Sequence, residues 1–334
     1  MRTAFLALTA FGSIAAADPA FVPVLNENFP DPFVLADGDG FLAYATNADR
    51  GGPNVQVARS TDLRSWTRLD KHDAMPALPS WAKRGFTWAP EIVKAGNRYV
   101  LYFTARHRES DQQCVGAAVS ADPLGPFVDA GDKPLVCQHK LGGTIDASPF
   151  RDADGKLYLY FKNDGNDDSA RTETWLWGQR LSADGLRLEG DPVKLLTNDR
   201  PWEGIVVEAP TMVRGPGGYT MLFSANDFAW QPRDRLSRYA MGYASCQGPL
   251  GPCTDAPENP ILHSYNHREM GCLSGPGHQT LFEVAGRQFL VFHAWAATAG
   301  CRDMNRGRYM YIAPLLWDGS KPKLAKSLRP QGKQ

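Results

Sequence analysis

The chain has 334 residues, carries 36 Lys and Arg against 36 Asp and Glu, and is 43% hydrophobic. This composition predicts a folded globular protein and excludes a disordered chain. Binders of nucleic acid or of anionic membranes rely on clustered positive charge, so a net charge of zero argues against both partners. The 32 Gly and 25 Pro residues, with 11% aromatic residues, favour short strands joined by turns.

The N-terminal segment has the features of a secretory signal peptide. Arg2 supplies a positive charge, residues 4–14 form an apolar run, and residues 15–17 are small alanines suited to cleavage. The run is shorter than the roughly 20 apolar residues that span a bilayer, and no later segment reaches that length. We therefore expect residues 1–17 to be removed, residues 18–334 to form a single domain, and the protein to be secreted to the extracellular space.

A strand, tight turn and second strand recur five times along the chain, and this repeat decides the predicted architecture. The repeats begin at Asp31, Glu91, Asp146, Glu208 and His278. These starts lie 60, 55, 62 and 70 positions apart, which leaves room for a four-stranded antiparallel sheet in each unit. No sustained helical period lies between them. The sequence therefore predicts an all-β, five-bladed β-propeller, with a pair of β-sandwich domains as the alternative.

Each repeat begins with a titratable residue. If the five positions are structurally equivalent, their side chains converge at one end of the central channel. For a single repeat, an acidic residue that satisfies turn amides is the more ordinary interpretation. Five repeats favour a functional site, because a ring of buried carboxylates costs free energy and needs a purpose.

Six cysteines in an exported chain favour disulfide bonds over a metal site, because none of them forms a CxxC pair. Short loops favour the pairings Cys246–Cys253, Cys114–Cys137 and Cys272–Cys301. Other connectivities stay open, and one or more buried free thiols is the alternative interpretation.

Several carboxylates in one cleft favour glycoside hydrolysis, which needs a proton donor and a carboxylate on opposite faces of a sugar. The sequence contains no nucleophile elbow, Cys/His pair or phosphate-binding loop. Aromatic residues near the acids suit a neutral sugar, and core packing is the alternative for each. These residues are Phe29, Phe33, Trp88, Trp202 and Trp230. Trp88 and Trp202 precede Glu91 and Glu208 in turns, so we expect both to face the sugar.

Five segments together resemble the signature segments of glycoside hydrolase family 43, in the family's order and spacing over nearly the whole chain after residue 17. They are Asn28-Phe-Pro-Asp31-Pro-Phe-Val, Trp88-Ala-Pro-Glu91, Ile145-Asp146-Ala-Ser-Pro-Phe, Trp202-Glu-Gly-Ile-Val-Val-Glu208-Ala-Pro-Thr-Met and Gly275-Pro-Gly-His278-Gln. The resemblance implies a five-bladed propeller that acts on arabinan, arabinoxylan or xylo-oligosaccharides with inversion at the anomeric carbon.

The resemblance also implies roles for individual residues. Asp31 matches the general base, Glu208 the general acid, and Asp146 the third carboxylate, which orients the acid and tunes its pKa. Arg308 is similar to an arginine late in the last blade that can reach the acids, with a surface arginine as the alternative. The candidate substrate-binding residues are Phe33, Trp88, Glu91, Trp202 and Arg308.

His278 matches a channel histidine that in several family members binds calcium, directly or through water. Calcium prefers roughly six to eight oxygen ligands, so water would have to complete its shell. We expect such an ion to be structural or electrostatic, and we expect no cofactor to be required for the chemistry.

The physical chemistry of the reaction fits these roles. Protonated Glu208 gives its proton to the leaving oxygen, while ionised Asp31 takes one from the attacking water. The two carboxyl groups of an inverting pair stand about 6.5–9.5 Å apart to admit that water. We expect Asp146 to raise the pKa of Glu208 by like-charge repulsion and so to keep Glu208 protonated.

The substrate is predicted from three further segments. Residues 162–166, 175–185 and 302–317 are most similar to the family's exo-acting α-L-arabinofuranosidase branch. Only a short tail follows Leu328, so we expect no appended β-sandwich domain of the kind that xylosidase members usually carry. We predict a monomer that removes terminal arabinofuranose from neutral plant cell-wall arabinan or arabinoxylan, with β-xylosidase or endo-arabinanase as the alternative.

Two readings from other classes stay open. A carbohydrate-binding propeller without turnover is possible because fold does not imply function, although a lectin has no use for an opposed acid and base. A sialidase-like propeller needs an arginine cluster near the repeat starts, and the sequence shows none there.

Overall fold

The computed structural model describes residues 21–47, 49–167, 171–229, 236–267, 271–295, 301 and 307–325. The predicted signal peptide, Trp230 and residues 302–306 lie outside the described residues, and so does the tail after residue 325. Within the described ranges, no helix is long and apolar enough to cross a membrane.

The described chain forms five four-stranded antiparallel sheets, each built from strands that are consecutive in sequence. The first blade consists of β1 (Phe33–Asp37), β2 (Gly40–Thr46), β3 (Val55–Ser60) and β4 (Thr67–Arg68). The second consists of β5 (Trp88–Ala95), β6 (Arg98–Arg106), β7 (Gln113–Ser120) and β8 (Val128–Asp129). The third consists of β9 (Thr144–Arg151), β10 (Leu157–Asn163), β11 (Trp175–Leu181) and β12 (Leu188–Thr197).

The last two blades repeat this order. The fourth consists of β13 (Val207–Gly215), β14 (Gly218–Ala225), β15 (Ala240–Cys246) and β16 (Cys253–Asp255). A small hairpin of β17 (Tyr265–His267) and β18 (Gly271–Leu273) precedes the fifth, which consists of β19 (Gly277–Val284), β20 (Arg287–Trp295), β21 (Arg308–Asp318) and β22 (Lys321–Leu324). Short 3₁₀ helices at His139–Leu141 and Pro201–Glu203 lead into β9 and β13. The prediction of an all-β, five-bladed propeller is confirmed.

The hydrophobic core lies between neighbouring blades. The second strand of each blade is the most apolar because the adjacent blades cover both of its faces; all seven residues of β10, for example, are buried. The cluster between the first two blades joins Tyr44 of β2 to Phe103 of β6, and both side chains are fully buried. Because the blades pack against one another in this way, the innermost strand of each blade borders the central channel.

The segment before β1 closes the ring onto the last blade. Leu25 forms a bridge with Met310 of β21, and the Phe29 amide donates a hydrogen bond to the Arg308 carbonyl at 2.9 Å. The Thr280 hydroxyl of β19 donates to the Pro32 carbonyl at 2.9 Å. Phe29 is completely buried here, so it belongs to the core and does not face a sugar.

A residue with a positive φ lies at or close to the start of each innermost strand. These five structurally equivalent residues have φ between +45° and +58°; they are Asp31, Ala89, Asp146, Ala209 and His278. Register shifts mark a bulge in four of the five blades. The prediction that the five titratable repeat starts are equivalent is therefore wrong for two of them. Glu208 stands one residue before the equivalent position of its blade, and Glu91 stands two residues after.

The three favoured disulfide pairings are confirmed. Cys114–Cys137 joins β7 to the loop after β8, Cys246–Cys253 joins β15 to β16, and Cys272–Cys301 joins β18 to the loop between β20 and β21. No cysteine is free.

Loss of the Cys272–Cys301 bond should lower stability more than loss of Cys246–Cys253, because it closes a separation of 29 residues against 7; about 2–4 kcal/mol is typical of a disulfide. Loss of the Cys272–Cys301 bond should also lower activity. The bond holds β18, which leads into Ser274, and Ser274 accepts hydrogen bonds from the amides of Ser237 and Trp295 near the start of β19. Melting temperature and kcat of the two double Cys→Ser variants test this. A Cys272/Cys301 variant with unchanged kcat and melting temperature would contradict it.

Candidate active site

One end of the channel opens into a cleft of about 440 Å³. Four of the five titratable repeat starts line it, namely Asp31, Asp146, Glu208 and His278. Trp88 and Arg308 line the same cleft. The structure therefore brings six of the nine candidate site residues together, and it places Phe33, Glu91 and Trp202 elsewhere.

Phe33 and Glu91 border a separate cavity of about 390 Å³, further along the innermost strands. Both stand two residues past the positive-φ position of their blade, where the side chain points away from the cleft. The Glu91 carboxyl accepts a hydrogen bond from Ser148 at 3.0 Å. Burial raises the pKa of Glu91 well above its ordinary value, although that hydrogen bond opposes the shift. Neither residue contacts the space that a sugar would occupy in the cleft.

Trp202 packs against the hydrophobic core of the fourth blade. Its ring lies 5.6 Å from that of Phe223, and it covers Gly242 so closely that a Cβ atom there would come within 2.6 Å of it. Core packing is the interpretation that the structure favours for this residue. Trp88, the other tryptophan expected to face the sugar, does line the cleft.

Asp31 is surrounded by donors and positive charge. Its Oδ1 atom lies 2.9 Å from Arg308 Nη1 and 3.3 Å from His278 Nδ1, and the Thr46 hydroxyl donates a hydrogen bond to Oδ2. Burial alone would raise the pKa of Asp31, but Arg308 and the histidines outweigh it and hold the pKa well below its usual range. We therefore expect Asp31 to be ionised in weak acid and at neutral pH.

Glu208 is held by two donors. The Tyr239 hydroxyl donates to Oε1 at 2.6 Å, and the Lys162 ammonium donates to Oε2 at 3.2 Å. Burial raises the pKa of Glu208, but the charge of Lys162 and the hydrogen bond from Tyr239 outweigh it, so the pKa lies below its ordinary value.

Asp146 lies beside Glu208 and carries the opposite shift. Potential ligand atoms of Asp146, Glu208 and His278 all lie within 4.8 Å of one another. Burial raises the pKa of Asp146 to about 6; His278 opposes this shift and the charge of Glu208 adds to it. The expectation that Glu208 is kept protonated by a raised pKa is wrong for the free enzyme, because the charge of Lys162 and the hydrogen bond from Tyr239 lower its pKa. Of the two carboxyl groups, Asp146 is the more readily protonated.

Sequence reasoning missed several residues that line the cleft or contact its carboxyl groups. Lys162 was visible as a charged residue at the end of the apolar run 157–161, where only a buried anionic partner makes a lysine tolerable. Tyr239 gave no local signal, because it lies 31 positions from Glu208. Phe228 lines the cleft with its ring under the Arg308 guanidinium, 5.2 Å from the ring centroid.

The sequence and the fold both resemble known proteins. The family model described as Glycosyl hydrolases family 43 matches residues 21–321. The chain belongs to this family. A solved structure described as a thermostable family-43 glycoside hydrolase is 28% identical, with a TM-score of 0.79 over 94% of this chain and 99% of that one.

Curated relatives of this family 43 protein differ in the sugar that they are named for. An extracellular exo-α-(1→5)-L-arabinofuranosidase of Cellvibrio japonicus is 24% identical over 86% of this chain and 84% of the relative. A β-D-galactofuranosidase of Aspergillus niger is 27% identical over 84% and 78%. An extracellular endo-α-(1→5)-L-arabinanase of Bacillus subtilis is 25% identical over 86% of each. The protein is thus a glycoside hydrolase of family 43.

The donor set around His278 does not match a calcium site made by protein ligands. Calcium prefers roughly six to eight oxygen ligands, and the described residues here offer two carboxylates and an imidazole. The positive charges of Lys162 and Arg308 already compensate the carboxylates of the cleft. An ion at His278 would need water for most of its shell.

Removal of metal ions by a chelator should therefore not abolish catalysis. We expect incubation with EDTA to lower activity partially or to lower the melting temperature, because an ion held near His278 would act on structure or electrostatics only. The measurement is kcat and melting temperature before and after chelation, with calcium and zinc added back separately. Complete loss that only zinc restores would indicate a metal-activated water and would overturn the mechanism with two carboxylates.

Proposed function

We propose that this protein is an inverting exo-α-L-arabinofuranosidase that releases terminal arabinofuranose from arabinan or arabinoxylan side chains. The observation that carries the proposal is the arrangement of three carboxyl groups around one cleft, with Asp31 held by Arg308 and with Asp146 beside Glu208. Arg308 lowers the pKa of Asp31 and favours its ionised form, whereas burial raises the pKa of Asp146 to about 6, so the pair of Asp146 and Glu208 binds a proton in weak acid. A fixed base and a separate proton donor are what glycoside hydrolysis with inversion requires.

The mechanism assigns each carboxyl group a role. Asp31 accepts a proton from a water molecule that attacks the anomeric carbon, and Arg308 keeps Asp31 charged and oriented from behind. Glu208 delivers a proton to the leaving oxygen, and Asp146, whose carboxyl lies within 4.8 Å of it, modulates the proton affinity of Glu208 by its charge. The bond from the anomeric carbon to the leaving oxygen breaks as the bond to water forms, which inverts the configuration.

The sugar itself needs apolar surface as well as charge. Trp88 and the half-exposed ring of Phe228 supply it at the wall of the cleft, together with the exposed side chain of Ile205. A ligand site of this kind is mostly apolar, with a few placed polar groups. The cleft volume of about 440 Å³ accommodates a terminal sugar with part of its neighbour.

We also propose a substrate class for this protein and its secretion from the cell. The substrate is a neutral plant cell-wall polysaccharide, in keeping with the names of the relatives from Cellvibrio japonicus and Bacillus subtilis. Three disulfide bonds and the extracellular naming of those relatives support secretion. We propose a monomer that binds neither nucleic acid nor membrane and needs no cofactor for the chemistry.

A comparison of three substrates tests the proposal. Nitrophenyl α-L-arabinofuranoside, nitrophenyl β-D-xyloside and debranched arabinan are each incubated with the purified protein, and the first-formed sugar is observed by proton NMR. We expect arabinose with inverted configuration from the first substrate and single arabinose units from the third. Preference for the xyloside, or short oligosaccharides from arabinan, would establish the β-xylosidase or endo-arabinanase alternative. Binding without release of sugar from any substrate would indicate a carbohydrate-binding propeller.

The pH profile of kcat/KM should be flat on the acid side and fall above about pH 6. The reaction needs the proton of the acid pair, whose Asp146 has a pKa of about 6, so activity is lost as the pH rises through that value. The base Asp31 has a pKa well below its usual range and stays charged in weak acid. Initial rates from pH 4 to pH 9 check this. Undiminished kcat/KM at pH 8 would show that the pair does not carry the proton.

A further inference from the structure

Neighbouring blades are tied together at the start of each innermost strand. In four of the five junctions, a side chain on the second strand of one blade accepts a hydrogen bond from the backbone amide of the positive-φ residue in the next blade. The four ties are Thr46 with Ala89 at 2.9 Å, Thr104 with Asp146 at 3.3 Å, Ser224 with His278 at 2.8 Å and His293 with Asp31 at 3.1 Å.

The junction between the third and fourth blades breaks this rule. Lys162 of β10 stands at the corresponding position, since it pairs with Ile145 as Ser224 pairs with Glu208 and as His293 pairs with Gly277. An ammonium group has three donors and no acceptor, so it cannot receive the amide of the next blade. The amide in question, that of Ala209, donates instead to Asp146 Oδ2 at 3.0 Å.

This exchange has two consequences for the acid. The Lys162 side chain, which has no exposed surface, is released from the blade junction and reaches Glu208 Oε2 at 3.2 Å and Asn166 Oδ1 at 2.6 Å. The carboxylate of Asp146 is fixed at the same time to the amide directly after Glu208. Lys162 and Asp146, two of the groups beside Glu208, are therefore placed by the one position that departs from the pattern of the other four junctions.

We propose that Lys162 is a positioning residue of the reaction, which orients Glu208 toward the leaving oxygen. Because Lys162 cannot accept the amide hydrogen bond of the next blade, Asp146 accepts it instead. The inference rests on the proposed function, in which Glu208 delivers the proton. Lys162 acts through its contact with Glu208 Oε2, which sets the direction in which the Glu208 carboxyl points. Loss of Lys162 should lower kcat/KM most for the substrates whose leaving group needs a proton.

Two variants with substrates of different leaving groups test this. Lys162→Met keeps the length of the side chain and removes its charge, and Lys162→Thr installs the residue that the first and second blades have at this position. We expect kcat/KM to fall about 10²-fold on arabinobiose, whose leaving group needs the proton. On 2,4-dinitrophenyl α-L-arabinofuranoside, whose leaving group needs none, the expected loss is less than about threefold. Lys162→Arg should recover part of the lost activity on arabinobiose.

The controls separate this inference from the proposed function. Lys156→Met removes an exposed ammonium paired with Asp154 and should change neither rate. Melting temperatures identify any variant that fails to fold, and Lys162→Thr is designed to fold because it restores the tie of the other blades. Equal losses on both substrates, or no loss on arabinobiose, would overturn the role of Lys162. A wild-type protein without activity on either arabinoside would overturn the proposed function instead.

Discussion

Replacing Asp31 with asparagine should lower kcat on arabinobiose by about 10²–10⁴-fold, the usual contribution of general base catalysis. An amide keeps the shape of the carboxylate; its one oxygen can still accept the hydrogen bond from Arg308, and its NH2 group can donate to the Thr46 hydroxyl. It cannot take a proton from the attacking water. Fold and sugar binding should therefore persist, as measured by the melting temperature and by calorimetric titration with arabino-oligosaccharide.

A matched control and a chemical probe sharpen this test. Asp37→Asn changes an exposed carboxylate at the far end of β1 and should leave kcat unchanged. Azide should not restore activity to Asp31→Asn with retained configuration, because Asp31 acts on water and forms no bond to the sugar. Rescue of that kind would make Asp31 a nucleophile, and wild-type turnover by Asp31→Asn would remove it from the mechanism.

Replacing Glu208 with glutamine should have a comparable effect, but only on substrates with poor leaving groups. We expect kcat to fall by about 10²–10⁴-fold on arabinobiose and to change little on 2,4-dinitrophenyl α-L-arabinofuranoside. The glutamine oxygen can still accept the hydrogen bond from Lys162, and its NH2 group can donate to the Tyr239 hydroxyl, so the shape of the site should be kept. Parallel kinetics on the two substrates measure the difference.

Asp146→Asn decides which member of the acid pair delivers the proton. If Glu208 delivers it, Asp146→Asn lowers activity on both substrates without the sharp dependence on leaving group. If Asp146→Asn shows that dependence and Glu208→Gln does not, the donor is Asp146 and the assignment is reversed. Glu189→Gln, a change in an exposed carboxylate paired with Arg180, is the control for loss of a negative charge.

Local patterns in the sequence determined the architecture. Alternating apolar strands and tight turns depend on residues only a few positions apart, so five copies of one hairpin could be recognised without long-range information. The disulfide pairings were accessible for the same reason, since each joins cysteines within 29 positions of each other. Asp31, Asp146, Glu208 and His278 were found because they start repeats.

Only the tertiary structure decided which of the repeat starts share the cleft. A bulge shifts the direction of every later side chain by one position, and the repeat pattern does not show where the bulge falls relative to Glu91. The acidic residue of the second blade therefore points into another cavity, together with Phe33. Trp202 is likewise assigned to the core by its contact with Phe223 in another strand.

The location of the proton also depends on long-range contacts. Lys162 and Tyr239 lie 46 and 31 positions from Glu208, yet they lower its pKa below the ordinary value, while burial raises the pKa of Asp146. Charge interactions in a buried site vary with distance in space and with exclusion of water, neither of which is written in local sequence. The sequence thus determined which blades have an acidic residue at the start of the repeat. Folding determined the partners of these residues and which of them binds a proton most readily.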